Sequence, residues 1–297
     1  MFSGINKIIE NTISETDLDY FCVILGLSPS KGARSPILWN KVFSAEKKKI
    51  KMLPLDVNPE RLEELFFCLQ EHKNCLGGAI AVPYKEVMFE LLKDQLSSEI
   101  VNIGAVNCFF RKNKLLSNNF LGTNTDGEAA LDPINKLLEN VKGMNVALVG
   151  MGGAGKAIWA FLNEKFKTSH KLTAFNRSRA QSSGTKHKPV AVIGIREFEQ
   201  SLSEFDLIIN ATSAGSSTDL NSTPFNLDLL NNAKPRCVIY DIIYDPLKTK
   251  LLLVSESFGL KTINGLRMNM IQAVLAYKYT NSTDLSLEQV FQKMEDH

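Results

Sequence analysis

Short apolar runs alternate with segments of helical periodicity along most of the chain, and this order predicts an α/β fold. In the first third the predicted strands are Tyr20–Leu25, Lys51–Asp56 and Gly77–Lys85, the last of which is broken by Pro83. A helix is predicted from Pro36, with Ser35 as its N-cap, because proline suits the first helical turn. Behind the second strand, apolar residues recur at the spacing of another helix: Leu62, Leu65, Phe66 and Leu69.

The alternation becomes more regular in the second half of the chain. A strand pair is predicted at Ile103–Phe110 and Leu115–Phe120, on either side of a polar turn. Beyond it the predicted strands are Val146–Val149, Lys171–Phe175, Val190–Ile193, Asp206–Asn210, Cys237–Tyr240 and Leu260–Ile263. Two helices are predicted to follow, Met268–Tyr279 and Leu285–Met294, the second capped by Thr283 or Asp284. Parallel strands joined by short helical crossovers are typical of a doubly wound nucleotide-binding domain.

Composition narrows the function classes. The chain has 297 residues, 44% of them hydrophobic and 22% charged, which fits a globular protein with a sizeable core. A net charge of +2 is too small to indicate nucleic acid or an anionic membrane as a partner. No apolar run is long enough to span a bilayer and the N-terminus lacks a signal-peptide core, so the cytoplasm is the expected location. A monomer or a homodimer is expected.

Cysteine and histidine do not form a recognisable site in the sequence. The five cysteines are odd in number and lack metal-ligand spacing, and four of them lie in apolar surroundings. The four histidines are scattered in polar contexts. We therefore expect neither a metal site nor a histidine-based nucleophile.

A glycine cluster follows the apolar run Val146–Val149 and precedes a helix-compatible segment. The cluster contains Gly150, Gly152, Gly153 and Gly155. A phosphate loop for a nucleoside triphosphate would need a hydroxyl after Lys156, and Ala157 has none. A dinucleotide-binding turn fits better, and a tight turn without a ligand is the alternative. Length favours two domains, with a substrate-binding domain at 1–130, completed by 267–297, and a dinucleotide-binding domain at 131–266.

The end of the next predicted strand bears on the choice of cofactor. NAD-binding domains have an acidic residue there, which accepts a hydrogen bond from the ribose 2′-hydroxyl. This chain has Asn176-Arg177-Ser178-Arg179, and guanidinium groups suit a 2′-phosphate. The sequence therefore favours NADP over NAD, with a solvated basic turn as the alternative.

Several short motifs occur in an order that resembles the shikimate dehydrogenase family over nearly the whole chain. The matching pieces are Pro83-Tyr84-Lys85, Gly104–Asn107, Asn124–Gly127, Gly150–Ala154, Asn176–Ser178, Asn210–Gly215, Asp241–Thr249 and Asn264–Ala273. The resemblance implies an α/β fold with an N-terminal substrate domain, a Rossmann-type NADP domain and C-terminal helices that return to the first domain. It also implies a place in aromatic amino acid biosynthesis. The reaction implied is reversible hydride transfer between NADP and a secondary hydroxyl or ketone of shikimate, 3-dehydroshikimate or a related small hydroxy acid.

The resemblance assigns roles to individual residues. Lys85 and Asp126 would form the catalytic pair, since an alkoxide left by hydride transfer needs a proton donor. Without the resemblance they read as a solvated lysine and a helix N-cap. Substrate contacts would come from Ser35, Asn107, Tyr244 and Gln272. Cofactor contacts would come from Gly150, Gly152, Gly153, Ala154, Asn176, Arg177, Ser178, Thr212, Ser213, Ile242 and Gly265.

The sequence departs from the family pattern where the substrate would bind. The family's Ser-x-Ser-Pro motif reads Ala33-Arg34-Ser35-Pro36, and its Asn-Val-Thr reads Ala79-Ile80-Ala81. These changes predict a less polar, quinate-like or other substrate. Arg34 is a candidate to bind the substrate carboxylate, with Ser28 and Ser30 as alternatives. A non-catalytic NADP-binding regulator is the remaining alternative.

Overall fold

The computed structural model describes residues 2–96, 98–111, 119–166, 170–177 and 192–296. It divides into two compact units. Unit 1 contains Met1–Thr125 and Met270–His297, and unit 2 contains Asp126–Asn269. The divisions fall after residues 125 and 269, whereas the sequence predicts them after residues 130 and 266.

Unit 1 is built on a five-stranded sheet in the order β2-β1-β3-β4-β5. The strands are β1 (Tyr20–Gly26), β2 (Ile50–Asp56), β3 (Cys75–Ile80), β4 (Cys108–Phe110) and β5 (Leu121–Thr123). The first three are parallel, and β4 and β5 are antiparallel to their neighbours. The helices between them are α1 (Arg34–Ala45), α2 (Leu62–Glu71), α3 (Lys85–Leu91) and α4 (Ser98–Val101). Strand β1 is buried from its second residue onward, as expected for a parallel strand covered on both faces.

Unit 2 is built on a six-stranded parallel sheet in the order β11-β10-β9-β6-β7-β8. The strands are β6 (Asn145–Val149), β7 (Lys171–Asn176), β8 (Val192–Gly194), β9 (Leu207–Asn210), β10 (Val238–Asp241) and β11 (Lys261–Ile263). The helices are α5 (Asp126–Leu131), α6 (Asn135–Asn140), α7 (Gly153–Phe166), α8 (Ile195–Ser201) and α9 (Lys250–Ser257). The strand order reverses between β6 and β9, and such a switch point is where doubly wound sheets bind ligands. The predicted α/β fold is confirmed.

Two helices complete the chain, α10 (Leu266–Thr280) and α11 (Leu287–Glu295). From Met270 onward α10 belongs to unit 1, where Tyr277 packs against Trp39 and Phe43 of α1. The predicted cap of α11 at Thr283 or Asp284 is wrong. Ser286 caps the helix and forms a reciprocal capping box with Gln289, which satisfies two backbone N–H groups at once.

Two further sequence predictions are corrected in unit 1. Helix α1 begins at Arg34, with Ala33 as its N-cap, so Ser35 lies inside the first turn. Proline is tolerated at the third helical position, since the first four N–H groups of a helix lack intrahelical acceptors anyway.

The strand that pairs with β4 is also placed differently from the prediction. Cys108 lies opposite Thr123 and Phe110 opposite Leu121, so the partner is β5 and not Leu115–Phe120. Residues 115–118 lie outside the described residues. Phe120 precedes β5, and its ring packs against Phe109 in the core. Within the described residues, no helix combines the length and the apolar content that a membrane span requires.

Candidate functional site

The glycine cluster of unit 2 forms a tight turn between β6 and α7. Gly150 adopts a positive φ of 100°, and a Cβ there would lie 2.7 Å from the Thr212 side chain. A Cβ on Gly155 would lie 2.0 Å from the Gly150 carbonyl oxygen. Larger residues are therefore excluded at both positions by the close approach of α7 and the segment after β9.

Gly152 differs from these two glycines because packing does not require it. Apart from Gly152 and its two chain neighbours, no described residue has an atom within 4 Å of a Cβ built on Gly152. The first turn of α7 follows at Gly153 and Ala154, and N–H groups at a helix N-terminus are suited to bind an anion. The turn therefore offers open space beside backbone donors, which fits the pyrophosphate of a dinucleotide.

The end of β7 lies directly beside this turn. The Gly150 N–H donates to the Phe175 carbonyl at 2.8 Å, and Asn176 and Arg177 follow Phe175. Asn176 is half-buried and Arg177 is exposed. The third predicted residue here, Ser178, lies outside the described residues. The two described side chains are an amide and a guanidinium, which suits a phosphorylated ribose better than an acidic residue would.

A buried polar network connects the ends of β9 and β10. Asp241 lies opposite Asn210 in the parallel register, and both residues are fully buried. The Asn210 side-chain amide donates to the Asp241 carboxylate at 3.0 Å. Burial raises the pKa of Asp241 to about 6, although hydrogen bonds from Thr249, Ile243 and Asn210 oppose this shift.

The same network holds the segment after β9. The Asn210 side-chain oxygen accepts hydrogen bonds from the Thr212 N–H at 3.1 Å and from the Thr212 hydroxyl at 2.8 Å. The Thr212 hydroxyl in turn accepts from the Ala214 N–H at 3.2 Å. Ser213 lies between them and is exposed.

The segment after β10 lies beside the N-terminus of α10. The Ile242 N–H donates to the Asn210 carbonyl at 3.1 Å, and the Gly265 N–H donates to the Ile243 carbonyl at 2.9 Å. A Cβ on Gly265 would lie 1.8 Å from the Ile242 carbonyl oxygen. The fold thus brings the predicted residues Gly150, Thr212, Ile242 and Gly265 to one edge of the unit 2 sheet.

In unit 1, Thr125 links two predicted substrate residues. The Asn107 side chain is buried, donates to the Thr125 hydroxyl at 3.0 Å and accepts from the Thr125 N–H at 2.8 Å. The Thr125 hydroxyl lies 3.2 Å from the Gln272 carbonyl, which accepts a hydrogen bond from it. Gln272 itself is half-buried.

Lys85 is the first residue of α3 and is half-buried. Its carbonyl accepts from the Val106 N–H at 2.8 Å, so it lies beside the segment that carries Asn107. Tyr84 anchors the preceding turn through a 2.5 Å hydrogen bond from its hydroxyl to the Val57 carbonyl. Lys85, Asn107 and Gln272 therefore all belong to unit 1.

The other two predicted site residues of this group belong to unit 2. Asp126 is buried and begins α5, where a Cβ on Gly127 would lie 2.2 Å from the Phe161 ring of α7. Tyr244 is half-buried in the segment after β10. The acid–base pairing of Lys85 with Asp126 stays a prediction from the sequence.

The segment after β1 is fixed by a carboxylate at the end of β2. The Ser30 N–H and hydroxyl donate to the two carboxylate oxygens of Asp56, at 2.8 Å and 2.5 Å. The prediction that Ser30 is available to donate to a substrate is therefore wrong. Ser28 is exposed, and Arg34 is half-buried in the first turn of α1.

The three alanines that replace polar residues belong to one apolar cluster. Ala79 is buried and Ala33 and Ala81 are partly buried, all against a core that includes Trp39 and Ala273. A Cβ on Gly26 would lie 3.1 Å from the Ala81 side chain, so the end of β1 is close to it. Ser35 is buried in the first turn of α1 and is the serine retained there.

Three of the four buried free cysteines are poor candidates for nucleophilic chemistry. Burial raises the pKa of the Cys75, Cys108 and Cys237 thiols to about 12, so these thiols stay protonated and are poor nucleophiles. Among the described residues, no three His, Cys, Asp or Glu side chains are grouped to hold a metal ion.

The polar residues that end β9 and β10 belong to the motifs Asn210–Gly215 and Asp241–Thr249, but the sequence alone assigns them no role. Asn210 and Asp241 each follow a run of buried apolar residues. A polar side chain at the carboxyl end of a buried parallel strand is the signal that identifies them.

Comparisons with known proteins agree with this geometry. Residues 26–109 match the family model of the shikimate dehydrogenase substrate binding domain. A relative from Symbiobacterium thermophilum, named shikimate dehydrogenase (NADP(+)), is 31% identical over 268 residues, which are 86% of this chain and 88% of that protein. A relative of the same name from Methanococcus vannielii is 29% identical over 272 residues, 88% of this chain and 92% of that protein. The crystal structure of shikimate dehydrogenase from Aquifex aeolicus has a TM-score of 0.76 and 27% identity, and it covers 96% of this chain and 100% of that one.

Proposed function

The chain belongs to the shikimate dehydrogenase family, and on that premise we propose that it is an NADP-dependent oxidoreductase. It transfers a hydride reversibly between NADP and a secondary hydroxyl or ketone of shikimate, 3-dehydroshikimate or a related small hydroxy acid. The observation that carries this proposal is the edge of the unit 2 sheet, where Gly150, Thr212, Ile242 and Gly265 adjoin an open helix N-terminus.

The cofactor is held by unit 2. We assign the pyrophosphate to the turn formed by Gly150, Gly152, Gly153 and Ala154, because its backbone donors border open space. The 2′-phosphate is assigned to Asn176, Arg177 and Ser178, and the nicotinamide half to Thr212, Ser213, Ile242 and Gly265. NADP is favoured over NAD because the end of β7 carries a guanidinium and no carboxylate.

The proton chemistry is assigned to Lys85. When bound, NADPH supplies the hydride for ketone reduction and NADP⁺ accepts it in the reverse direction. The alkoxide that reduction leaves takes a proton from the Lys85 ammonium group, and alcohol oxidation returns that proton to the neutral amine. Asp126 is proposed as the partner that orients the ammonium group and binds a substrate hydroxyl.

Substrate binding is assigned to Asn107 and Gln272, with Ser35, Arg34 and Tyr244 as further contacts. The support for Asn107 is its fixed orientation, since two hydrogen bonds to Thr125 hold its side chain. Arg34 is proposed to bind the substrate carboxylate, because a guanidinium can donate two parallel hydrogen bonds to it.

A second candidate is the same chemistry on a less polar substrate. The observation that favours it is the packing of Ala33, Ala79 and Ala81 in an apolar cluster, because their methyl side chains cannot form hydrogen bonds to a hydroxylated ring. A site lined by alanine discriminates weakly among hydroxylated substrates, whereas a site built to bind a hydroxyl discriminates strongly.

Steady-state kinetics with NADP⁺ separates the two candidates. Turnover of shikimate with a higher kcat/KM than quinate or simpler cyclic hydroxy acids supports the first one. If Ala33→Ser raises kcat/KM for shikimate and the exposed control Ala45→Ser does not, the second candidate is supported. NADPH binding without turnover of any hydroxy acid would indicate the non-catalytic regulator.

Two further points stay predictions. A nucleoside triphosphatase is disfavoured because Ala157 follows Lys156, and calorimetric titration with ATP–Mg²⁺ against NADPH tests that choice. Location in the cytoplasm and a monomeric or homodimeric state are expected, and light scattering of the purified protein measures the second of these.

A further inference from the structure

The Asp241 carboxylate is surrounded by neutral donors. Among the described residues, it accepts hydrogen bonds from the Asn210 amide at 3.0 Å, the Thr249 hydroxyl at 2.7 Å and the Ile243 N–H at 3.1 Å. The side chain is fully buried. A buried carboxylate without a cationic partner is an unfavourable choice for stability, because desolvation opposes its ionised form. Its three donors nevertheless come from two separate segments of unit 2, the end of β9 and residues 242–249.

One of these segments leads to the glycine turn. Asn210 donates to Asp241, and its own side-chain oxygen accepts both the N–H and the hydroxyl of Thr212. Thr212 in turn packs against Gly150, where a Cβ would lie only 2.7 Å from the threonine side chain. The orientation of the Asn210 amide, which Asp241 fixes, therefore sets the position of Thr212 against the turn.

The other segment, residues 242–249, supplies the remaining two donors. Ile243 donates its N–H to Asp241, and its carbonyl accepts from Gly265 at the N-terminus of α10. Thr249 donates to Asp241 and also caps α9 by accepting from the Leu252 N–H. A single carboxylate thus connects both sides of the edge at which the cofactor is proposed to bind.

We propose that Asp241 is the positioning residue of the cofactor site, which sets the affinity for NADP(H) through Asn210 and Thr212 and through Ile243. The inference rests on the proposed function, since it concerns the dinucleotide site. Asp241 itself does not touch the reacting atoms in this account. It acts by holding the two segments that do contact the cofactor at a fixed separation.

The test uses the Asp241→Asn variant, which keeps one acceptor oxygen and removes the charge. We expect the dissociation constant for NADPH to rise at least about threefold, because all three hydrogen bonds to the carboxylate lose their charge assistance or their acceptor. The melting temperature is expected to stay equal or to rise, since the desolvated charge is gone. Thr249→Val disturbs the same carboxylate and is expected to raise the same dissociation constant, which provides a second variant if the first does not fold.

Ser255→Ala is the matched control. Its hydroxyl is buried in the same unit and donates to the Leu251 carbonyl at 2.7 Å, outside the Asp241 network. The control is expected to lower the melting temperature and to leave the NADPH dissociation constant unchanged. A rise of that constant in the control equal to the rise in Asp241→Asn would overturn the inference, because loss of stability would then explain both.

A double-mutant cycle with Thr212→Val tests the route. If Asp241 acts through Thr212, the NADPH dissociation constant of the double variant rises by less than the product of the two single-variant fold-changes. A rise equal to that product contradicts this route. Wild-type protein that fails to bind NADPH would overturn the proposed function together with this inference. Wild-type binding with an unchanged constant in Asp241→Asn would overturn the inference alone.

Discussion

Ser30 and Asp56 are joined by two hydrogen bonds, from the Ser30 N–H at 2.8 Å and from the Ser30 hydroxyl at 2.5 Å. Asp56 ends β2 and is buried, whereas Ser30 lies in the segment that connects β1 to α1. The carboxylate therefore fixes the segment that leads to Ala33, Arg34 and Ser35. In the proposed function Arg34 and Ser35 contact the substrate, so the Ser30–Asp56 pair holds the segment that leads to them.

Ser30→Ala should weaken substrate binding without affecting the cofactor. Loss of the hydroxyl removes one hydrogen bond to Asp56 and loosens the segment, which should raise KM for shikimate about threefold to tenfold. The NADPH dissociation constant should stay unchanged, because the pair lies in unit 1. Ser44→Ala is the control, since Ser44 is exposed in α1 and has no assigned role at the site. Equal KM values for the Ser30 and Ser44 variants would contradict the role of the pair.

Gly152→Ala should lower cofactor affinity at constant stability. A Cβ at this position meets no atom of the described residues within 4 Å other than those of its chain neighbours, so the fold accommodates it. If pyrophosphate binds against the turn, the added methyl group should raise the NADPH dissociation constant about tenfold or more. Gly32→Ala in unit 1 is the control, because its Cβ also meets nothing within 4 Å among the described residues. Fluorescence titration measures NADPH binding. A dissociation constant in Gly152→Ala equal to that of the wild type would exclude the turn as the pyrophosphate site.

Asp241 should make stability depend on pH in a defined direction. Its pKa of about 6 in the folded protein lies above the unfolded value of about 4. The folded state therefore binds the proton more tightly than the unfolded state does. The contribution of the protonated Asp241 to the free energy of unfolding is full below about pH 4 and is lost as pH rises through about 6. Between these limits the wild type should lose about 3 kcal/mol of unfolding free energy relative to Asp241→Asn. Urea unfolding of both proteins at several pH values measures this, and a pH-independent difference would refute the assignment.

Arg34→Ala should raise KM for a carboxylated substrate about tenfold and leave the NADPH dissociation constant unchanged. The reason is the loss of a charge-assisted contact to the substrate carboxylate. Lys31→Ala is a suitable control, because it removes an exposed positive charge three residues earlier in the same segment. If both variants show the same small change in KM, Arg34 acts only as part of the local charge.

Lys85→Met should abolish turnover while the cofactor still binds. Removal of a proton donor costs about 100- to 10,000-fold in kcat, because a positioned general acid contributes about that much. Lys93→Met, an exposed lysine in the turn after α3, should keep wild-type kcat. Wild-type kcat in Lys85→Met would refute the assignment, and loss of NADPH binding in this variant would show that the lysine acts on the cofactor.

The strands of unit 2 were predictable because fully buried parallel strands are continuous apolar runs. β6 and β9 were placed to within one residue, and the glycine turn between β6 and α7 was identified from the residue types alone. The ends of strands and the starts of helices were harder to predict from the sequence. The start of α1 at Arg34 and the capping of α11 by Ser286 depend on which backbone N–H groups find acceptors, and several polar residues nearby could have served.

The pairs that organise both units could not be predicted from spacing. Ser30 is 26 residues from Asp56, and Asn210 is 31 residues from Asp241. Each pair forms because the carboxyl ends of neighbouring parallel strands meet at one edge of a sheet, and that requires the strand order and register. The sequence identified Asp241 and Asn210 as members of motifs, while only the fold reveals that they share a hydrogen bond.

In the proposed function, this chain oxidises shikimate with NADP⁺ and uses Lys85 for the proton transfer. The most direct measurement is the initial rate of NADPH formation by purified wild-type protein and by Lys85→Met, with shikimate as the varied substrate. We expect saturable, shikimate-dependent NADPH formation in the wild type and a rate lower by about 100-fold or more in the variant. Absence of shikimate-dependent NADPH formation in wild-type protein that binds NADPH, or an equal rate in both proteins, would contradict this proposal.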